Sequence, residues 1–224
     1  PAQPLVPSGY VPKAGPTKAL GKDINWIEML GKSRFWLLWI LYALGSYTGL
    51  MIIQFALPIM VDMAKIDPVA AAAFVGILGL ANAFGRLFWG AVSDKIGRYL
   101  TLSLMFLITG AMVLSLSPLA DNVKLFITAI MLIGLCYGGY LGLFPSLCAD
   151  AFGGKNLTFN YGVLFTAFSV GAISGPLIGT ALKEKTGDYY MSLMVAAAIC
   201  AVGLLISVGI WLSDKASAKA APAE

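Results

Sequence analysis

The sequence predicts an all-α membrane protein, a bundle of six transmembrane helices. Three observations carry this. Of 224 residues, 59% are hydrophobic and only 12% are charged, where a soluble domain carries about 25% charged residues. Too few polar groups exist to cover a water-facing surface. The mean hydropathy is +0.84. The apolar residues fall into six stretches separated by short charged connections, each near the ~20 residues that cross a bilayer as a helix.

Residues 1–34 are polar and basic. Pro1, Pro4, Pro7, Pro12 and Pro16 forbid a continuous helix there. The stretch has no apolar core, so it is not a signal peptide, and it reads as a cytoplasmic linker between domains. Within it, Asn25-Trp26-Ile27-Glu28-Met29-Leu30 predicts a short amphipathic piece at the membrane surface, anchored by Trp26. The spans follow at 35–61, 69–92, 100–118, 125–149, 161–182 and 189–212, together a six-helix domain over 35–212. The fourth span repeats glycine at Gly134, Gly138 and Gly142, and the fifth at Gly171, Gly175 and Gly179. Such stripes let helix backbones approach closely. Pro58, Pro145 and Pro176 lie inside spans, where they remove backbone hydrogen bonds and predict bent or broken helices of the kind that rock in transporters. Plain packing with kinks explains the same residues as well. Residues 213–224, rich in Ala and Lys, are expected to form an irregular cytoplasmic tail.

An even number of spans puts both ends on one side. That side holds Lys13, Lys18, Lys22, Lys32, Arg34, Lys95, Arg98, Lys155, Lys215 and Lys219. The other holds Lys65, Lys124, Lys183 and Lys185. The bias predicts cytoplasmic termini. The scattered basic residues make no nucleic-acid footprint. With no histidine and only Cys136, Cys148 and Cys200, all in or beside apolar runs, neither a metal centre nor a histidine relay is expected, and the cysteines read as small buried hydrophobes. No nucleophile–base pair is present. An enzyme and a bound cofactor are not expected.

Arg86 stands inside an apolar run with no acidic residue within seven positions. A guanidinium in hydrocarbon is costly unless paired, so an intramembrane arginine marks a functional site by default. Asn82 lies four residues earlier on the same helix face. An arginine fork holds a carboxylate in bidentate fashion, and an asparagine beside it adds one hydrogen bond. The alternative is an arginine that snorkels to the interface or pairs with a structural acid. In the fourth span, the Tyr137 hydroxyl is placed to donate to a carboxylate opposite Arg86. Tyr140 reads as a packed aromatic bonded to a backbone carbonyl. Phe165 and Phe168 share one face of the fifth span and suit an apolar wall. No carboxylate lies deep in any span; Asp62 and Asp150 are at ends and Asp94 is in a turn.

The sharpest motif is Gly90-x-x-x-Asp94-Lys95-x-Gly97-Arg98, with an acid at its start, a glycine for the turn and an arginine at its end. It resembles the loop signature of the major facilitator superfamily. Arg86-Leu87-Phe88-Trp89-Gly90, Leu143-Phe144-Pro145-Ser146, Asp150-Ala151-Phe152-Gly153, Asn160-Tyr161-Gly162 and Trp26-x-Glu28-Met29-Leu30 resemble the oxalate/formate antiporter and monocarboxylate transporter group. The resemblance spans nearly the whole chain. It implies the C-terminal half, helices seven to twelve, of a twelve-helix facilitator, preceded by its central linker and facing an N-terminal six-helix half. It implies that Arg86 binds substrate carboxylate, and that Asp94 and Arg98 latch the cytoplasmic gate. Oxalate transporters of the group carry a second cation, a lysine after Asn-Tyr-Gly; that position here is Phe168. This departure points to a monoanion. Animal monocarboxylate transporters place an aspartate four residues before the arginine, where this chain has Asn82, so their proton relay does not carry over. The nearest likeness is to bacterial L-lactate transporters, with Asn82, Tyr137, Phe165 and Phe168 as pocket residues. The expected activity is proton symport of L-lactate or pyruvate across a bacterial cytoplasmic membrane. Oxalate/formate-type antiport on the same fold is the alternative, and an interface-forming bundle without transport is a further one.

Overall fold

A computed structural model describes residues 23–220. The expected linker at 1–22 and the last residues of the tail, 221–224, lie outside the described residues. The chain forms a short helix α1 (Trp26–Leu30) and six long ones: α2 (Ser33–Asp62), α3 (Pro68–Ile96), α4 (Arg98–Ser115), α5 (Val123–Phe152), α6 (Leu157–Thr186) and α7 (Tyr190–Ala220). All six long helices are long and apolar enough to cross a membrane. There is no strand among the described residues.

The helix starts are chemically marked. Asn25 caps α1, accepting from the Glu28 amide at 2.9 Å, and its Nδ2 donates to Glu28 Oε1 at 2.9 Å. The first bond is an N-cap; the second joins the two side chains and holds the cap in place. Asp67 caps α3 through the amides of Val69 and Ala70, with Pro68 in the first turn. Asn122 caps α5 through the Leu125 amide at 3.3 Å. The turns after α3 and α5 use Gly97 at φ 94° and Gly153 at φ 86°, a region closed to most side chains.

The three main helix pairs are α3 with α5, α2 with α6, and α4 with α7. The glycine stripes make the first two. A Cβ on Gly138 would overlap the Asn82 carbonyl oxygen, and one on Gly142 would lie 2.9 Å from that of Arg86. A Cβ on Gly171 would lie 2.5 Å from the Ala43 carbonyl, and one on Gly175 would overlap that of Tyr47. Backbone therefore meets backbone along both pairs, as small-residue stripes allow. Cys136, Cys148 and Cys200 are buried and free, as their apolar setting predicts.

The structure corrects three expectations. The helices run uninterrupted through Pro58, Pro145 and Pro176. A proline removes one hydrogen bond, and neighbouring helices in a bundle hold the remaining turns in register. The tail expected to be irregular continues α7 to Ala220. Ala and Lys are strong helix formers, and Asp214 is fixed by the Arg34 fork, with Nη1 to Oδ1 at 2.9 Å. Tyr140 has no carbonyl partner: its hydroxyl is buried and unbonded, while its ring sits 5.0 Å from Phe106.

Candidate binding cavity

Arg86 lies about three turns before the end of α3, and Asn82 one turn earlier on the same face. Both line a cavity of about 350 Å³, together with Tyr137 and Leu141 of α5, Phe168 of α6 and Ile53 of α2. Residues from four helices thus converge near mid-bundle. Among the described residues no carboxylate lies within ion-pair distance of Arg86. Its guanidinium is exposed on this face of the isolated bundle. Asn82 Nδ2 is buried and has no hydrogen-bond partner. A buried donor without a partner costs about 1–3 kcal/mol; the cavity presents the Arg86 charge, and the unsatisfied Asn82 amide lies just beneath its surface.

Phe165, expected in the pocket, does not line the cavity. It stacks on Phe168 with ring centroids 4.8 Å apart and planes 9° from parallel, so it holds the orientation of a ring that does line the cavity. The same aromatic cluster includes Tyr42 of α2, which stacks on Phe144 at 4.0 Å and shares a 3.1 Å hydroxyl–hydroxyl hydrogen bond with Tyr161 of α6. Sequence reasoning missed Tyr42, Ile53 and Leu141. Periodicity carried the signal. Leu141 follows Tyr137 by four, and Tyr42 and Ile53 are three helical turns apart on one face of α2.

The loop motif forms its own cluster at the end of the bundle where α2 begins. Arg98 pairs with Asp94 at 2.7 Å and with Asp150 at 3.2 Å. It also donates to Ser93 Oγ, which itself donates to the Gly90 carbonyl at 2.7 Å. One guanidinium joins α3, the start of α4 and the end of α5. Its side chain is only 16% exposed, against 64% for Asp94. Beside it, Arg34 donates to Tyr99 Oη at 3.0 Å and to Asp214, tying α2, α4 and α7. At the opposite end, Tyr189 donates to Asp62 at 2.7 Å and accepts from Lys183. Charged side chains thus tie the helices together at both ends, away from the cavity.

Six helices able to cross a membrane thus surround a cavity that presents one cation, Arg86, with no ion-pair partner among the described residues. The Major Facilitator Superfamily model matches residues 5–153 and 38–224, and the chain belongs to that family as an integral membrane protein. It is 36% identical over 168 residues to the oxalate:formate antiporter of Oxalobacter formigenes, covering 74% of this chain and 40% of that protein. It is 35% identical over 154 residues to the uncharacterized MFS-type transporter YhjX of Escherichia coli K12, covering 68% and 38%. Apicoplast pyruvate carrier 2 of Toxoplasma gondii matches at 32% identity, over 60% of this chain and 20% of that protein. The chain spans about 40% of the length of the first two relatives.

Proposed function

We propose that this chain is the C-terminal six-helix half of a transporter that carries a small monocarboxylate, L-lactate or pyruvate, by proton symport with alternating access. The observation that carries the reading is Arg86 and the unbonded Asn82 amide at one cavity whose remaining lining, Phe168 stacked on Phe165 included, is mostly apolar. A guanidinium fork takes both oxygens of one carboxylate. Asn82 Nδ2 and the Tyr137 hydroxyl supply the further hydrogen bonds to carboxylate or 2-hydroxyl. The aromatic wall receives the methyl group. One cation against an apolar wall favours a monoanion over a dianion.

The second half faces the exposed side of α3, where Ile77, Leu80, Phe84 and Leu87 recur at helical spacing. In the facilitator architecture the substrate site lies between halves at the membrane midplane, and rocking exposes it to each side in turn. The Asp94–Arg98–Asp150 cluster latches the cytoplasmic side, and the Lys and Arg bias places both termini there, in a bacterial cytoplasmic membrane. No carboxylate lines the cavity, so the coupling proton rides on the substrate or on an acid of the other half.

Uptake of labelled L-lactate into proteoliposomes of the complete two-half protein, with an inward proton gradient, tests this. Gradient-driven uptake that falls about 10–100-fold in Arg86→Lys is expected, the loss of a charge-assisted hydrogen bond being worth about 1.5–3 kcal/mol. The same uptake in the Lys variant would remove Arg86 from the site. Antiport is the second reading, favoured by the 36% identity to a protein named oxalate:formate antiporter. Uptake driven by internal formate or oxalate and indifferent to the proton gradient would establish it in place of symport.

A further inference from the structure

Gly49 of α2 does not line the cavity, yet it meets one residue that does. A Cβ on Gly49 would overlap Tyr137 Cδ2 and lie 2.5 Å from Cγ and 2.8 Å from Cε2. Ordinary carbon contacts are about 3.5–4 Å. The Tyr137 ring therefore lies directly on the α2 backbone, in a slot that only a glycine leaves open. Cγ is the root of the ring and moves only with the whole side chain. Swinging the far end of the ring aside does not relieve the overlap.

Neither backbone is free to retreat. On the α2 side, Gly171 and Gly175 bring the α6 backbone against Ala43 and Tyr47, in the two turns just before this level. On the α5 side, Gly138, the residue after Tyr137, abuts the Asn82 carbonyl, and a Cβ on Gly134 would overlap Leu78. With both helices pinned, the ring is the part that gives. The open volume beside it is the cavity that Tyr137 itself lines. Any side chain at position 49 pushes the ring by about 1.5–2 Å, from overlap at Cδ2 to normal contact, and the space open to it is the cavity shared with Arg86.

We infer that Gly49 is a specificity-determining residue: by seating the Tyr137 ring against α2 it sets the size of acyl substituent that fits between Tyr137 and the Arg86–Asn82 pair. This rests on the monocarboxylate reading above. Gly79 offers an independent comparison. It lines the same cavity from α3, and a Cβ there meets nothing within 4 Å. A methyl at 79 takes cavity space directly and moves no other group, whereas a methyl at 49 takes space only through the ring.

The test uses the complete two-half protein in proteoliposomes, with L-lactate and L-2-hydroxybutyrate as paired substrates. One methylene in a fitted pocket is worth about 10-fold or more in discrimination. Gly49→Ala is expected to raise the lactate-over-2-hydroxybutyrate ratio of kcat/KM by about tenfold. In a Tyr137→Ala background the same substitution is expected to leave the ratio unchanged, because Cγ and the ring that transmit it are gone. Gly79→Ala is expected to shift the ratio in either background. Equal loss of both substrates in Gly49→Ala, or the same shift with and without the Tyr137 ring, overturns the inference and leaves the monocarboxylate reading intact. Failure of the unsubstituted protein to carry either acid removes that reading and the inference with it. Should Gly49→Ala alone fail to fold, thermal unfolding decides. The Gly49→Ala/Tyr137→Ala protein is expected to melt with its Tyr137→Ala parent, and a double variant that also fails to fold overturns the inference.

Discussion

Gly138→Ala tests the claim that backbone contact between α3 and α5 places the candidate site. The added Cβ would overlap the Asn82 carbonyl oxygen and sit 2.8 Å from its carbon and 3.1 Å from the Asn82 Cα. All three are backbone atoms of a helix, so no rotamer change relieves them. Restoring contacts of about 3.5–4 Å requires α3 and α5 to part by about 1.5–2 Å along their closest approach. Overpacking of this kind costs about 1–3 kcal/mol, and a rigid carbonyl as the obstacle places the cost near the upper end. Thermal unfolding in detergent, compared with Gly76→Ala on α3, reads this out. A Cβ at Gly76 meets nothing within 4 Å, so that variant is expected to match the unsubstituted protein or exceed it by up to about 1 kcal/mol, the helix preference of Ala over Gly. Gly138→Ala is expected to melt several degrees lower, and to weaken L-lactate binding because Asn82 and Arg86 ride on the displaced helix. Equal stability of the two alanine variants would refute the reasoning, since it would mean that α3 and α5 are not in backbone contact at this level.

Asn82→Leu is expected to have opposite effects on stability and ligand response. It removes the buried, unbonded Nδ2, so the ligand-free protein should gain up to about 1 kcal/mol in thermal unfolding, while the stabilisation given by added L-lactate should shrink. Arg98→Gln leaves Asp150 without its 3.2 Å partner and unties α3, α4 and α5 at the latch. The expected result is about 1–3 kcal/mol of lost stability and greater access of a membrane-impermeant thiol reagent from the α2-start side, read on a cysteine introduced at Leu141. Raised salt should reproduce little of this effect, because Arg98 is largely buried and buried pairs are poorly screened.

The positions and number of the spanning helices were legible in the sequence because a membrane helix must satisfy its own backbone and be apolar over a fixed length. Both constraints are local. Each predicted span lies within one helix of the structure or overruns it by a few residues, as at Leu116, just past α4, and at Tyr189, just before α7. Helix ends extended further than expected where caps and ion pairs act, as α7 does past Asp214. Arg86 and Asn82 were also legible. A lone guanidinium in an apolar run is anomalous by itself, and the i, i+4 spacing fixes its neighbour without any tertiary knowledge.

What the tertiary structure alone decided is which residues stand across from that pair. Tyr137 and Phe168 reach the cavity because α5 meets α3, and α6 meets α2, along glycine stripes that remove side chains from the contact. The stripes were visible in sequence, but not which backbone each would meet. Phe165 turned out to be a stacking partner of Phe168, 4.8 Å away, and not a lining residue. Gly49 carried no signal along the chain. A glycine in a membrane helix is common, and its meaning here comes from a single ring on another helix. Hydropathy and helical period are written residue by residue, so the sequence by itself determined the helices and the charge. Packing between helices distant in the chain is a property of pairs, so only the folded bundle decided the shape of the space that the charge faces.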